Sequence, residues 1–573
     1  MTSFEAFVES FHCHFVRNPN RRAQLGIEED LGELPDPSLR GQGTRVAEAI
    51  ELLATLDAVK AIELDVDQQL DLELAELKLK AEIHRATYTF NGKLETQQQP
   101  KAGEEIGDGI FTIFLVDPRS DADRLEDITS RIEKIPAYLD DMLERLDTPV
   151  ARWVKMDLEC VAELPTFFET IEQWAAQENW PDAARLTTAC ERAVAALDDY
   201  STQLSELPTT LHFHIGDEDA REVVRLAGID MSLEELHDMA RDFLAEVAET
   251  IEASRGRLVE KYDLDRNMSA AELHEWLNVK YRVDVDIKNN DFTPILERYH
   301  EERGKLLQFI HQRDLFPILE DQDMRIVQTP EFMVPLIPAG AMTGPAAFRE
   351  GTRISQIFLT LAEDRMDDHT ELGIPMMMVH EGIPGHHLHL ATGRTHPSVV
   401  RRHCYASDQA EGWTTMLEDY MLDVGYLDEL KEEAIFSGKR DISRIGARVA
   451  IDLFFMTGDR KYLDVGVDFD SASDEPFRLA ANLLKAVTGF TEARAQAELN
   501  WYSAERGIPL TYLTGNKLVW DLKRSAVEHC EKKAEQLTGI EFDREFHRVY
   551  LEAGLMPVRF MNSIYCREGL LPN

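Results

Sequence analysis

The stretch Met376-Met-Met-Val-His-Glu-Gly-Ile-Pro-Gly-His-His-Leu-His389 constrains the fold more than any other part of this 573-residue chain. An apolar run leads into His380-Glu381, and a proline and a glycine interrupt it before three further histidines. On an unbroken helix His386 lies six positions and roughly 240° round from His380, on the wrong face. His387, at i+7, returns to the right face but sits about 10.5 Å further along the axis. Pro384 removes a backbone donor and clashes with the preceding turn, while Gly385 accepts unusual dihedrals. The helix is therefore expected to widen or break at Pro384-Gly385, which would carry His386 back towards His380. The plain alternative is a helix end with surface histidines, and spacing alone leaves the choice between His386 and His387 open.

The residue types point to zinc chemistry. Zinc accepts neutral imidazole nitrogens in a tetrahedral shell and leaves one position for water in catalytic sites. A carboxylate beside the first ligand can then take a proton from that water. The usual spacing is His-Glu-x-x-His, with both histidines on one helical face. Here Pro384 occupies the i+4 position, so the plain motif fails.

His380-Glu-Gly-Ile-Pro-Gly-His-His387, followed by Glu411-Gly-Trp413, resembles the bacterial family called domain of unknown function 885, grouped with zinc peptidases of the gluzincin type. The resemblance continues through Pro509, Tyr512 and Gly515 and through Phe542-Asp-Arg-Glu-Phe-His547. The site is similar to a gluzincin His-Glu-x-x-His-x-Leu helix with two residues inserted. In that register Gly385-His386-His387-Leu388 aligns with the family's Gly-His-x-Leu, which selects His386 as second ligand. The resemblance implies one zinc ion per chain held by His380, His386 and Glu411, with Glu418 and Asp408 as reserves. It also implies Glu381 as general base and Tyr512 as a donor to the oxyanion that peptide hydrolysis creates. An ordinary solvated helix face for Glu411 and a core tyrosine for Tyr512 are the plain alternatives.

The N-terminal half reads as successive helices. Leu70, Leu74, Leu77, Ala81, His84 and Tyr88 recur at three- and four-residue steps, and Ser232-Leu-Glu-Glu235 and Ser269-Ala-Ala-Glu272 are capping boxes. His212-Phe-His214 has no third ligand nearby and is expected to be structural. Near residue 320 the pattern changes, with strands expected at 325–329, 332–337 and 354–361. A helix over 440–457 carries Arg444, Arg448 and Asp452 in a polar row. Arg448 and Asp452 are spaced to pair, and their similarity to a family Arg…Asp pattern implies a role behind the metal or against a substrate carboxylate.

The expected fold is mainly α with a small mixed β-sheet, gluzincin-like, with two helical halves around a cleft. An N-terminal helical domain would span 1–320 and a catalytic zinc-hydrolase domain 321–573. The 106 acidic residues against 61 basic ones give a formal charge of −45, which repels phosphate backbones and argues against nucleic acid. No apolar run approaches the about 18 residues that a spanning helix needs, so no membrane partner is expected. Six scattered cysteines and an N-terminus without a leader pattern lead to an expected cytoplasmic location. The substrate expected by analogy is a short peptide or small amide, and a homodimer is compatible with the sequence. The rival readings are a zinc amidohydrolase of a non-peptide metabolite and a metal-free helical binding or scaffold protein.

Overall fold

The structure of the chain, a computed structural model, describes all residues except 1, 61–62, 290, 330–339, 363–365, 368, 533–538 and 573. Helices dominate because apolar residues recur at helical steps along most of the chain. Helices α1 (Ser3–Phe15), α2 (Pro19–Leu25) and α3 (Val66–Thr87) belong to the N-terminal part. On α3, Leu70 and Leu74 are buried, and His84 pairs with Asp219 at 3.2 Å while stacking on Tyr88. Both expected capping boxes form. The Ser232 and Ser269 hydroxyls accept from the amides three residues on, and each serine amide donates to the glutamate at 2.7 Å. They start the helices Leu233–Lys261 and Ala270–Lys280.

Strands β1 (Gln322–Gln328), β2 (Gly340–Thr343) and β3 (Arg353–Leu359) make a mixed sheet in the order β1-β3-β2. Met324 lies opposite Ser355 in the parallel pair, and Met342 lies opposite Ile357 in the antiparallel one. The strand expected at 325–329 starts three residues earlier, and that expected at 354–361 ends at Leu359. The segment 332–337 lies outside the described residues. Buried Ile326 and Ile357 turn the sheet towards the helices that follow.

Those helices are α4 (Gly373–Glu381), α5 (His386–Gly393), α6 (Val399–His403), α7 (Ser407–Asp423), α8 (Lys431–Thr457) and α9 (Thr511–Glu531). One hydrophobic cluster joins α1 and α3 to the sheet, to α4–α7 and to the C-terminal helices. A second joins Tyr88, Trp153 and the Leu233–Lys261 helix to α8, and a third lies within residues 23–204. The first two draw on residues from both sides of position 320. An ionic clamp reinforces that packing. Arg401 is fully buried, with Nε 2.8 Å from Asp71, one terminal nitrogen 2.6 Å from Asp67 and the other 3.0 Å from the Ala553 carbonyl oxygen. Removing one partner of such a buried pair typically costs about 3–5 kcal/mol, so α6 is held firmly where the chain enters α7.

Candidate metal centre

The metal-type stretch is two helices rather than one. α4 ends at Glu381, α5 begins at His386, and Gly382-Ile383-Pro384-Gly385 makes the turn between them. A Cβ on Gly385 would lie 1.9 Å from the His380 carbonyl oxygen, so only glycine fits there. Trp413 on α7 donates its indole N–H to the Pro384 carbonyl at 2.9 Å, and its ring stacks on Tyr550 at 4.6 Å. The break therefore returns His386 to His380, with ring centroids 5.0 Å apart and the rings at 81°.

Glu411 completes the constellation from α7. Its Oε2 lies 3.7 Å from Nε2 of His380 and 3.6 Å from Nε2 of His386. This oxygen is buried and has no conventional hydrogen-bond partner. Ligands on a tetrahedral zinc with bonds of about 2.0–2.1 Å stand about 3.3 Å apart, so the observed spacings fit an ion after shifts of a few tenths of an ångström. Glu381 also brings a carboxylate oxygen within 4.8 Å of the His380 and His386 ligand atoms. Glu418, one helical repeat beyond Glu411, receives the other nitrogen of His380, Nδ1, at 2.7 Å. It orients the ring from behind, as partners of metal-bound histidines do.

The electrostatics favour a cation. Burial acts to lower His380, but Glu411 and Glu418 on either side outweigh it and hold it well above the usual imidazole range. Burial acts to raise the Glu411 carboxyl, but His386 and His380 hold it well below the usual carboxylate range. A metal ion can take the place of the proton held in such a set. Among the described residues the donor set thus fits zinc: two imidazoles and a carboxylate, with a second carboxylate beside them.

Tyr512, on the first turn of α9, contacts Glu411, and burial followed by that charge raises its hydroxyl well above the usual range, so it stays a donor. The Arg448 guanidinium lies 4.4 Å over its ring and Trp501 stands edge-on at 6.0 Å. α7 and α9 touch backbone to backbone. A Cβ on Gly412 would lie 2.4 Å from the Gly515 carbonyl carbon, and one on Gly515 would lie 2.1 Å from the Asp408 carbonyl oxygen. Gly412 thus serves the α9 contact that brings Tyr512 to Glu411.

Other candidates are placed elsewhere. Fully buried His387 turns to the sheet, with Nδ1 2.7 Å from Ser355 Oγ and Nε2 against Gln322 Oε1. Asp408 accepts from the Val558 amide at 2.9 Å and burial pushes it up to about 7. Arg448 and Asp452 do not form the expected pair. Arg448 binds Glu498 at 3.0 Å and the Tyr502 hydroxyl at 2.9 Å, whereas Asp452 accepts from the amides of Gly507 and Leu510 ahead of α9. His214 contacts the Phe455 carbonyl at 2.9 Å. The contacts of Ser355 and Gln322 with His387 had no signal in the sequence, since they join positions 32 and 65 residues apart.

With this geometry in place, the comparisons with known proteins define the class. The description "Bacterial protein of unknown function (DUF885)" matches residues 19–564, and the chain belongs to that family. A putative lipoprotein of unknown function from Shewanella oneidensis has a similar structure, with a TM-score of 0.74 and 17% identity over 98% of this chain and 100% of its own. A putative lipoprotein from Colwellia psychrerythraea gives a TM-score of 0.74 and 15% identity over 100% of this chain and 99% of its own. No curated protein matches the chain. At these identities the likeness establishes the fold, mainly helical with small sheets. The expected cytoplasmic location is corrected by these structures, because both proteins that share the fold are putative lipoproteins. Neither acidity nor cysteine usage fixes the compartment. Among the described residues no helix is long and apolar enough to cross a membrane, and all six cysteines are free.

Proposed function

We propose that the protein is a zinc-dependent hydrolase of the gluzincin type, acting on the amide bonds of short peptides. The observation that carries the reading is the convergence of His380, His386 and the buried, otherwise unpartnered Oε2 of Glu411 within 3.6–3.7 Å. Zinc bound there would polarise a water molecule and make it a nucleophile near neutral pH. Glu381, with a carboxylate oxygen within 4.8 Å of the His380 and His386 ligand atoms, would accept the proton from that water and deliver it to the leaving amine. Tyr512 offers its hydroxyl to the oxygen on which negative charge develops. Glu418 keeps His380 in the orientation that turns Nε2 to the site.

The test is metal analysis joined to digestion of a mixed short-peptide library read by mass spectrometry. The wild-type protein should hold about one zinc per chain, and His380→Ala or His386→Ala should remove most of it. Glu381→Gln should keep the zinc and lose hydrolysis by about 10²–10⁴-fold, the usual worth of a general base. Tyr512→Phe should keep the zinc and lose about 10–1,000-fold, as one oxyanion donor among several. Zinc retained in both histidine variants, or full activity in Glu381→Gln, would refute the reading.

A further inference from the structure

Tyr512 sits on the first turn of α9, where Leu510 caps the helix without a side-chain hydrogen bond. The first amides of a helix have no partner within it, and here α8 supplies one. The buried Asp452 carboxylate accepts from the Gly507 amide at 3.1 Å and from the Leu510 amide at 3.2 Å. One turn earlier on α8, the Arg448 guanidinium lies 4.4 Å over the Tyr512 ring. Arg448 and Asp452 therefore share a helix face and meet the start of α9 together, one at the ring of Tyr512 and the other at the backbone before it.

Arg448 is itself held by the helix Glu492–Ala504. Its Nε donates to the Tyr502 hydroxyl at 2.9 Å and a terminal nitrogen donates to Glu498 at 3.0 Å, while Tyr502 donates to the same Glu498 oxygen at 2.6 Å. Trp501 takes part on both counts: Arg448 lies 5.1 Å over its ring, and it stands edge-on to Tyr512 at 6.0 Å. A buried ion pair is by itself weak evidence for stability, because apolar residues of similar volume often do as well. Arg448, buried with that pairing, has a reason of another kind: a guanidinium is planar and stacks on an aromatic face in a fixed orientation. On the α7 side, the Thr511 hydroxyl donates to Ser407 Oγ at 2.8 Å, the Asn516 amide group donates to Thr415 Oγ1 at 3.1 Å, and Gly515 abuts the Asp408 backbone. These contacts lie on either side of Tyr512 along α9 and of Glu411 along α7.

We propose that Arg448 and Asp452 are positioning residues for Tyr512: Asp452 fixes the entry of its helix and Arg448 fixes its ring, so that the hydroxyl stays with Glu411. The catalytic consequence rests on the hydrolase reading, in which Tyr512 donates to the oxyanion; the seat itself does not. The spacing of Arg448 and Asp452 then has its reason in a shared target and not in a mutual pair. Misplacing a reacting group by about 1 Å can cost about 10²-fold in rate. Losing the seat should therefore lower kcat by about 10–100-fold and leave KM within about threefold, since ground-state binding is untouched.

The test places 3-fluorotyrosine at position 512 of the full chain and reads it by fluorine NMR, beside steady-state hydrolysis of the peptide that the wild type cleaves best. The wild type should give one narrow resonance, which Arg448→Met, Arg448→Lys and Asp452→Ala should each broaden or split. Arg448→Lys keeps the charge but loses the plane, so a plain ion pair is rescued by it and a stacked seat is not. Arg448→Met combined with Glu498→Gln removes the pair as a unit, leaves no unpaired carboxylate behind and should broaden the resonance in the same way. The same label at position 420 on α7, whose native hydroxyl donates to Asp543 at 3.1 Å, is the control and should not change. Zinc content should stay at the wild-type level throughout. In kinetics the loss caused by Arg448→Met should vanish in a Tyr512→Phe background, because nothing is left to position. A single narrow resonance at 512 in all the variants, a split one in the wild type, or equal broadening at 420 would overturn the inference. So would losses that multiply with that of Tyr512→Phe. Peptide hydrolysis impaired by Tyr512→Phe but not by Arg448→Met would overturn it too and leave the hydrolase reading standing. Broadening confined to 512, with no hydrolysis by the wild type, would support the seat and refute the hydrolase reading.

Discussion

Replacing Gly412 with alanine tests whether the contact between α7 and α9 positions the candidate metal centre. The new Cβ would meet the Gly515 carbonyl carbon at 2.4 Å and its oxygen at 2.5 Å, about 1 Å short of the 3.4 Å at which ordinary contact begins. The obstacle is backbone, so no side chain can rotate away and the two helices must separate. Overpacking of this kind typically costs about 1–3 kcal/mol, and the upper half of that range is expected here. Glu411 is the next residue, and metal–ligand distances tolerate only about 0.2 Å. An alanine that touches no ligand should therefore weaken zinc binding as well as stability. Gly438 supplies the control. It lies on α8, where an added Cβ would have nothing within 4 Å, so Gly438→Ala should stabilise by about 0.5–1 kcal/mol. Urea unfolding gives the stability arm, and competition with a chromophoric chelator gives the affinity arm. If Gly412→Ala matches Gly438→Ala in both, the close approach does not hold Glu411 in place. A zinc-free wild type would leave only the stability arm, which stands on packing alone.

Glu418→Gln retains a hydrogen-bond acceptor for His380 Nδ1 but removes the charge behind the ring. Zinc affinity should fall about 10–100-fold, the usual range for such partners, and unchanged affinity in the chelator competition would refute the orienting role. Asp157 tests the pH dependence of stability in the N-terminal helices. It accepts from the Gly103 amide at 2.8 Å and the Tyr200 hydroxyl at 2.6 Å, and burial pushes it up to about 6. Between its unfolded value near 3.8 and about 6 the folded state holds a proton that the unfolded state has released. Its contribution is therefore fully present below about pH 4 and is lost as pH rises to about 6, by roughly 3 kcal/mol. Asp157→Asn should remove that slope, so wild-type stability relative to the variant should fall by about that amount across the window in denaturant titrations. A constant difference would refute the assignment.

How much of the molecule is legible in its sequence depends on the range of the interaction. The helices of the N-terminal half, the two capping boxes and the order of sheet before metal helix are written in local periodicity and local hydrogen bonding, which a single sequence displays. The break between His380 and His386 is legible for the same reason: proline removes a donor, and glycine admits the turn that no Cβ would permit. Glu411 stands out through the resemblance to its family. The chain alone does not distinguish it from Glu418, because both lie on α7 about two turns apart.

Only the tertiary structure separates those two carboxylates, since it decides which nitrogen of His380 each one meets. It also releases Arg448 from Asp452, because Glu498, 50 residues further on, reaches the guanidinium. His387 goes to the sheet for a similar reason, as Ser355 and Gln322 supply polar partners inside the core. Nothing local to Gly412 or Gly515 demands glycine, and only the packing of α7 on α9 shows that both must lack a side chain.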